Sequence, residues 1–399
     1  MRYLGCLFAM MVSSLFASSP LTTVPWNGLK GAVSFTFDDA LESQIQNLAP
    51  MLDTMPDVKV TFFLAWMNSP EKTAVISGFA NLAKKGHEIG NHTPDHLYLT
   101  NLTEDADFQK QIVDYADDLE SLMNGEGANC KIVSFATPYC ANNASIQEYI
   151  GSRHFINRDC GWTGRNNWNE EPKWLSMMAK TWTRSGNTVD EMVLALDTAA
   201  LIGDFSSAQS WNIPQSEGAW LVMLNHGVVE DSDEYSINPE DMKIILNRAR
   251  ENQMWIAPFG TVGAYQRAHF VMDALSAEKA EDGYSMTWDL PHDQMPESIP
   301  LKVKLNSDWI SENLDSAENI VIVQGENVIW ADAENIYSIE FAAKALKIRQ
   351  ATAEEIEKHS ATDRIQKRPA KNLRVKTNSS QFDANGRVLS KPTSVSVKF

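Results

Sequence analysis

The sequence is poor in basic residues. Its 399 residues include 34 Lys and Arg against 52 Asp and Glu, a formal net charge of −18 at pH 7. Because the phosphates of nucleic acid require a basic surface, this balance argues against nucleic-acid binding. It fits a neutral or cationic partner, or solubility alone. Beyond the N-terminal segment, no apolar run is long enough to predict a permanent membrane span.

Cysteine is also scarce. No two of the 4 cysteines have Cys-x-x-Cys spacing, which argues against a thiolate zinc site. Cys6 lies in the N-terminal segment and leaves Cys130, Cys140 and Cys160, an odd number that cannot pair fully within one chain. One disulfide is compatible with an oxidising compartment, and the sequence does not select the two cysteines that would form it.

The N-terminal segment has the three parts of a cleavable export signal. Arg2 supplies the positive charge, the stretch from Leu4 to Phe16 is almost wholly apolar, and small residues follow at positions 17–19. The sequence therefore predicts a signal peptide over residues 1–19 and a secreted or periplasmic mature protein.

Strand-like and helix-like runs alternate from Gly31 to about Tyr265. Strands are predicted at 32–37, 58–64, 87–91, 131–136, 155–157, 177–180, 220–224 and 254–258, and helices at 41–52, 72–85, 103–123 and 239–251. Nearly continuous apolar strands between helices are typical of a parallel sheet covered by helices. Seven or eight such units in series favour a distorted α/β barrel.

The pattern changes after about residue 269. Short β-like runs separated by turn signals follow at 284–290, 301–305, 320–323, 327–330 and 338–341. The sequence therefore predicts a catalytic α/β domain over 25–268 and a small all-β, sandwich-like accessory domain over 270–360 that contributes no catalytic group. A polar, basic tail is predicted over 361–399.

Two motifs carry the strongest chemical signal. The run Ser34-Phe35-Thr36-Phe37-Asp38-Asp39 ends the first strand on adjacent carboxylates, which are costly to bury unless they are used. Neighbours on an extended strand point to opposite sides, so one carboxylate can bind a metal while the other faces a substrate. After the third strand, His92 and His96 flank a Pro-containing turn. An Asp and two imidazoles would leave an open coordination position, the mark of a catalytic metal site.

Each motif alone has a structural explanation. Paired aspartates favour the start of a helix, and a His-x-x-x-His pair is more often a surface feature than a ligand pair. Together, at consecutive strand ends, they indicate an active site, because barrel enzymes keep their active groups at the carboxyl ends of the strands.

These motifs resemble those of the polysaccharide deacetylases, carbohydrate esterase family 4. Thr36 to Asp39 and His92 to His96 are similar to the family's first two motifs, and Thr61 to Phe63 to its second strand. The run from Leu224 to Gly227 is similar to a late motif that carries a catalytic His. The resemblance covers about residues 31–259. It implies a NodB-type barrel and a hydrolase that removes acetyl groups from a carbohydrate partner. The hydrolase would use a divalent metal, of which zinc is the expected one.

The resemblance also implies a role for each site residue. Asp38 would be the general base for water, and His226 the general acid for the leaving amine or alcohol. The backbone N–H of Tyr139 would help to stabilise the oxyanion. The implied metal ligands are Asp39, His92 and His96.

The chain departs from the family's pattern in two places. Ala136 stands where an arginine usually orients the catalytic Asp, and either Arg158 or Arg165 is a candidate to replace it. The Asp and Trp that usually support the acid His are represented only by Asp159 and Trp162, which lie in the corresponding region.

Tryptophans concentrate between residues 162 and 182, at Trp162, Trp168, Trp174 and Trp182. They are either a wall on which sugar rings stack or ordinary core. Two other functions stay open. One is a metal amidohydrolase of the same fold acting on a small cyclic amide, which export disfavours. The other is an inactive carbohydrate-binding protein, supported only by the missing arginine. The oligomeric state is not predicted.

Overall fold

The computed structural model describes residues 19–161, 163–202, 217–230 and 233–366. Residues 1–18 of the predicted signal peptide (1–19), Trp162 and residues 367–399 of the predicted tail (361–399) lie outside this part. The chain divides into two compact units, Met1–Arg349 and Gln350–Phe399. Within the described ranges, every helix is too short or too polar to cross a membrane.

The strands are numbered along the described chain. They are β1 Leu21–Thr23, β2 Ala32–Asp38, β3 Thr61–Leu64, β4 Glu88–Asn91, β5 Ser134–Ala136, β6 Ile156–Arg158, β7 Arg165–Asn167, β8 Lys180–Thr181, β9 Ala219–Asn225, β10 Trp255–Ile256, β11 Glu278–Ala280, β12 Gly283–Thr287, β13 Pro300–Leu305, β14 Ile320–Gln324, β15 Asn327–Trp330, β16 Tyr337–Glu340 and β17 Ala345–Gln350.

The α-helices are α1 Ala49–Asp53, α2 Thr73–Lys84, α3 Asp105–Phe108, α4 Tyr115–Gly125, α5 Ala144–Arg153, α6 Val189–Ala199, α7 Pro239–Glu251, α8 Phe259–Asp273, α9 Ser307–Asn313 and α10 Ala353–Gln366. Wider π-helical turns, Gln44–Leu48 and Gln109–Asp114, precede α1 and α4. Short 3-10 turns include Pro70–Lys72 and Pro138–Cys140.

All eight strands predicted for the barrel region lie in one curled sheet, which also contains β7, a strand that the sequence does not predict. Its order is β6-β5-β4-β3-β2-β9-β7, with β10 beside β2 and β8 beside β9. The segment at β8 brings the two ends of the curl together, because Met177 pairs in parallel with Arg158 of β6 and Lys180 pairs in parallel with Met223 of β9. The predicted distorted barrel is therefore confirmed.

Alternation along β2 decides what faces the barrel interior. Val33, Phe35 and Phe37 pack into the apolar cluster beneath the helices. Ala32 belongs to the cluster on the other side of the sheet. Because side chains on a strand alternate with a period of two, Asp38 points the same way as Ala32, into the barrel.

The β-rich region that the sequence predicts after the barrel is present as two further sheets. One has the order β1-β13-β16 and the other β11-β12-β17-β14-β15. Strand β1 comes from the N-terminal side of the barrel and pairs with β13, with Leu21 opposite Leu305. One apolar cluster includes both Trp220 of the barrel and Leu301 of β13, so the barrel and these sheets share a core.

Three helices of the barrel region, α5, α6 and α8, are absent from the sequence prediction. The side chain of Asn143 caps α5, and Thr188 with Glu191 forms a capping box at the start of α6. Helix α8 is buried on most sides, so its apolar residues lack the one-sided periodicity that marks a surface helix.

Candidate active site

The predicted site residues lie at the carboxyl ends of the barrel strands. Asp38 is the last residue of β2, and Asp39 follows it. His92 comes directly after β4, Tyr139 lies in the turn after β5, and His226 comes directly after β9. Because the carboxyl ends of parallel strands lie at one edge of a sheet, these five residues reach the same end of the barrel.

Asp39, His92 and His96 converge, with one ligand atom from each within 4.8 Å of the others. His92 Nε2 lies 3.2 Å from His96 Nε2, and Asp39 Oδ1 lies 3.6 Å from the first and 3.3 Å from the second. Burial lowers the pKa of His92 to about 3 and also lowers the pKa of His96, so both rings are neutral at pH 7. With His92 Nδ1 donating to the Ala136 carbonyl at 2.7 Å, its Nε2 presents a lone pair.

This donor set fits a divalent cation. Asp39 Oδ1 is buried and has no hydrogen-bond partner among the described residues. Burial, followed by the charge of Asp38, raises the pKa of Asp39 to about 6. A bound cation would stabilise the ionised carboxylate of Asp39 and so lower this pKa again. A carboxylate and two neutral imidazoles are ligands that zinc takes in catalytic sites.

Arg158, rather than Arg165, is the arginine that lies beside Asp38. Its Nη2 donates to Asp38 Oδ2 at 2.5 Å, and both side chains are buried. Burial alone would raise the pKa of Asp38, but the positive charge of Arg158 outweighs burial and holds that pKa below its usual range. Asp38 Oδ1 has no hydrogen-bond partner in the described chain. One oxygen is therefore held by the guanidinium and the other is free for chemistry.

A close contact between β3 and β4 supports this ion pair. The Phe63 ring covers the guanidinium of Arg158, with 5.3 Å between Cζ and the ring centroid. A Cβ atom on Gly90 would lie 2.4 Å from the Phe63 ring. Glycine is therefore required at position 90 for Phe63 to occupy this place.

His226 lies near the ligand cluster and is partly exposed. Its Nε2 is 4.0 Å from Asp39 Oδ2. The side chain of Gln44 fixes the backbone here, because Nε2 donates to the carbonyls of Asp38 at 2.6 Å and His226 at 3.0 Å. His226 Nδ1 has no hydrogen-bond partner within the described ranges, so the supporting carboxylate expected from the resemblance does not bond to it there.

A disulfide joins the loops that follow β5 and β6. It links Cys140 to Cys160, whose Cα atoms are 5.7 Å apart, and leaves Cys130 free. Asp159, the residue suggested as support for His226, instead accepts a hydrogen bond from Asn142 at 2.8 Å. Asp159 and the disulfide therefore brace the same pair of loops.

The tryptophans between 162 and 182 are core residues wherever the structure describes them. Trp168, Trp174 and Trp182 are only 3%, 8% and 5% exposed, so the substrate-wall interpretation is wrong for these three. Trp162 lies outside the described residues. Nothing in the sequence pattern separates a buried tryptophan from an exposed one.

Other aromatic side chains surround the site instead. The Trp66 and Tyr139 rings lie 4.7 and 4.6 Å from the His96 ring, and Tyr98 stacks on Tyr139 at 3.8 Å. Tyr235 lies 5.2 Å from His226. All three tyrosines are about half exposed. We call Trp66, Tyr98, Tyr139 and Tyr235 the aromatic rim.

Comparison with known proteins identifies a family domain within the chain. Residues 27–153 match the family model described as polysaccharide deacetylase. Residues 27–153 belong to the polysaccharide deacetylase family. The resemblance inferred from the two motifs is thereby confirmed. The matched segment contains the three candidate metal ligands, Asp38 and Tyr139, whereas His226 lies beyond it.

One curated relative is a peptidoglycan-N-acetylglucosamine deacetylase from Bacillus cereus, which is 35% identical over 91 residues. The match covers 22% of this chain and 30% of the relative, so the chain spans less than a third of that protein's length.

Two solved structures are also similar to this chain. The chitin deacetylase from Colletotrichum lindemuthianum has 16% identity and a TM-score of 0.38, over 58% of this chain and 86% of that one. A family 4 acetyl xylan esterase from Clostridium thermocellum has 17% identity and a TM-score of 0.35, over 57% and 87%.

Proposed function

We propose that the protein is a metal-dependent hydrolase that removes acetyl groups from a carbohydrate, either one containing N-acetylglucosamine or one that is O-acetylated. The observation that carries the proposal is the convergence of Asp39, His92 and His96 beside the buried, ionised Asp38, all within the family domain. Water would add to the acetyl carbon while its bond to nitrogen or oxygen breaks, giving acetate and a free amine or hydroxyl.

The chain has groups for both proton transfers. Asp38 Oδ1 is unpartnered in the described chain and can accept a proton from the attacking water, while Arg158 keeps the carboxylate ionised. His226, partly exposed beside Asp39, can donate a proton to the leaving nitrogen or oxygen. The backbone N–H of Tyr139, in a turn with φ of +55°, is the proposed donor to the oxyanion. A divalent cation, for which zinc is proposed, supplies a more acidic water and a polarised acyl oxygen when bound.

The position of Arg158 weakens the alternative of an inactive carbohydrate-binding protein. That alternative depended on the absence of an arginine beside the catalytic Asp. With Arg158 bonded to Asp38, the base has the partner that the sequence motif itself does not supply. The proposal of an active enzyme therefore no longer has this objection against it.

We also propose that the protein acts outside the cytoplasm. The N-terminal signal pattern is the first support. The Cys140–Cys160 disulfide is the second, because stable disulfides are rare in reducing compartments.

Acetate release tests the proposed function, and His226→Ala tests the proposed acid. The wild-type protein with Zn²⁺ is expected to release acetate from at least one of chitin oligosaccharides, peptidoglycan and acetylated xylan. His226→Ala is expected to lower kcat by about 10²–10⁴-fold, the usual contribution of a positioned acid or base. His292→Ala removes a histidine remote from the site, bonded to the Gly151 carbonyl, and serves as the control. Unchanged kcat in His226→Ala would remove this residue from the mechanism.

The aromatic rim predicts where a sugar ring binds. Tyr98 is 50% exposed and stacks on Tyr139, which itself contacts His96. Because stacking is worth about 1 kcal/mol, Tyr98→Ala is expected to raise KM for an oligosaccharide about fivefold with kcat unchanged. Tyr98→Phe keeps the ring and is expected to keep the wild-type KM. A fall in kcat at constant KM would contradict a binding role.

A further inference from the structure

The loop that carries the first metal ligand has a strained backbone. Asp39 and Ala40, which follow β2, have φ values of +76° and +50°. A residue with a Cβ atom is strained in this left-handed region, whereas glycine is not. Ala40 is also fully buried. The turn therefore requires support from the surrounding structure.

Lys72 contacts this turn from the neighbouring loop. It is the last residue of the turn Pro70–Lys72, and its Nζ donates to the carbonyl oxygens of Asp39 and Ala40, at 2.8 Å each. The side chain is partly buried. A cation bonded to both carbonyls favours the backbone orientation in which they point to the same side.

The ammonium group of Lys72 also lies near Trp66, whose ring packs against the candidate ligand His96. Lys72 Nζ is 5.5 Å from the centroid of the Trp66 ring, within reach of a cation–π interaction. The Trp66 ring in turn lies 4.7 Å from the ring of His96. Lys72 therefore contacts the backbone of one candidate ligand and the aromatic ring that packs against a second.

We propose that Lys72 is a positioning residue for the metal site, which stabilises the left-handed turn at Asp39 and Ala40 and holds the Trp66 ring against His96. The inference rests on the metal site proposed for Asp39, His92 and His96. It depends neither on the identity of the sugar nor on acetyl removal. Lys72 itself supplies no ligand and no proton.

Titration with Co²⁺, followed by visible absorption, tests this role without an activity assay. Lys72→Met is expected to weaken Co²⁺ binding about tenfold or more, since groups that orient metal ligands are typically worth about 10–100-fold in affinity. The visible absorption band of Co²⁺ bound to this variant should also change, because Asp39 is no longer held in one orientation. Lys84→Met, on the exposed side of α2, is the matched control and should bind as the wild type does.

A second substitution tests whether Lys72 acts by stabilising the left-handed turn at Asp39 and Ala40. Ala40→Gly removes the steric strain at a φ of +50°. Added to Lys72→Met, it is expected to restore at least half of the lost affinity on a logarithmic scale. Lys72→Gln keeps a hydrogen-bond donor but removes the charge. Titrated in parallel, it should lose less Co²⁺ affinity than Lys72→Met.

Three results would overturn the proposal. Wild-type affinity and absorption in both Lys72→Met and Lys72→Gln would show that the ligands do not depend on Lys72. An equal loss with and without Ala40→Gly would show that the turn is not what Lys72 supports. A wild-type protein that binds no Co²⁺ would overturn the metal site itself and the positioning role with it, so the wild-type titration distinguishes the two failures.

Discussion

Asp38→Asn is expected to reduce acetate release to the uncatalysed background while the metal site is kept. The amide cannot accept a proton from water, so the proposed base is lost. Asp39, His92 and His96 are unchanged and should still bind Zn²⁺. The measurement is acetate release under saturating Zn²⁺, together with the metal content of the purified variant.

The same substitution should also destabilise the protein. Arg158 is buried against Asp38, and removing the charge of one partner in a buried pair costs about 3–5 kcal/mol. Because the pKa of Asp38 is lowered in the folded protein, its carboxylate stabilises the fold at neutral pH. That contribution is lost as the pH falls through the folded-state pKa, and Asp38→Asn should remove this part of the acid sensitivity. Urea unfolding at several pH values measures it.

Asp95→Asn is the matched control for this experiment. Asp95 accepts hydrogen bonds from Lys110 and Gln111 at a partly exposed position near His96. An exposed ion pair is worth about 1 kcal/mol at most, so both turnover and stability should stay near the wild-type values. Turnover retained in Asp38→Asn would remove Asp38 from the mechanism. Loss of Zn²⁺ together with turnover would make Asp38 a ligand instead of a base.

The part of the site that the sequence predicts is the part encoded by local motifs. Asp38 and Asp39 end a strand with an unmistakable apolar pattern, and His92 and His96 follow another. Their convergence needs only the rule that parallel strands deliver their carboxyl ends to one edge. His226, which follows β9, is indicated instead by the resemblance of the run from Leu224 to Gly227 to the family's late motif.

Arg158 could not be selected because its strand is too short to be distinctive. The strand β6 has 3 residues, and on the side away from β5 its Arg158 pairs with Met177 through an isolated bridge. A charged residue that ends a buried strand is the signal that identifies Asp38, and it applies to Arg158 as well. Arg165 lies in β7, which runs antiparallel to β9. The choice between the two arginines therefore depended on strand direction.

Burial of aromatic side chains is a property of the tertiary structure and not of the local sequence. Trp168 packs against Trp26 at 4.9 Å and stacks on His269 at 4.1 Å, and both partners are distant in sequence. Tyr98 and Tyr139 are exposed and lie in the loops that follow β4 and β5. A cluster of tryptophans in the sequence therefore indicated the core, and two isolated tyrosines mark the rim.

A chain that ends after Ala274, and so lacks the two C-terminal sheets, is expected to be insoluble. The end at Ala274 keeps helix α8 whole, whereas the predicted domain boundary at 268 falls inside that helix. Strand β1 would lose its partner β13, where Thr23 lies opposite Val303. Lys302, which donates to the carbonyl of Asn27 at 3.0 Å, would be lost as well.

The core that the barrel shares with the C-terminal sheets indicates how much stability the shortened chain would lose. The cluster that continues into the C-terminal sheets includes Leu21, Trp26 and Met272 on the barrel side, all at most 1% exposed. Uncovering a buried side chain of this size costs about 1.5–3 kcal/mol, and a whole domain is stable by only about 5–15 kcal/mol. Removal of the sheets should therefore leave no stable barrel.

A chain that ends after Gln350 is the control, because Met1–Arg349 is a compact unit and keeps all strands of both C-terminal sheets. It is expected to be soluble and to release acetate at the wild-type rate. The predicted accessory domain over 270–360 is then best proposed as a brace for the barrel.

A soluble, cooperatively melting chain ending at Ala274 that still acts on soluble oligosaccharides but not on polymer would instead make the C-terminal sheets a substrate-binding module. If that chain folds and acts on no substrate, a catalytic contribution must come from the C-terminal sheets, and the assignment of all catalytic groups to the barrel is wrong.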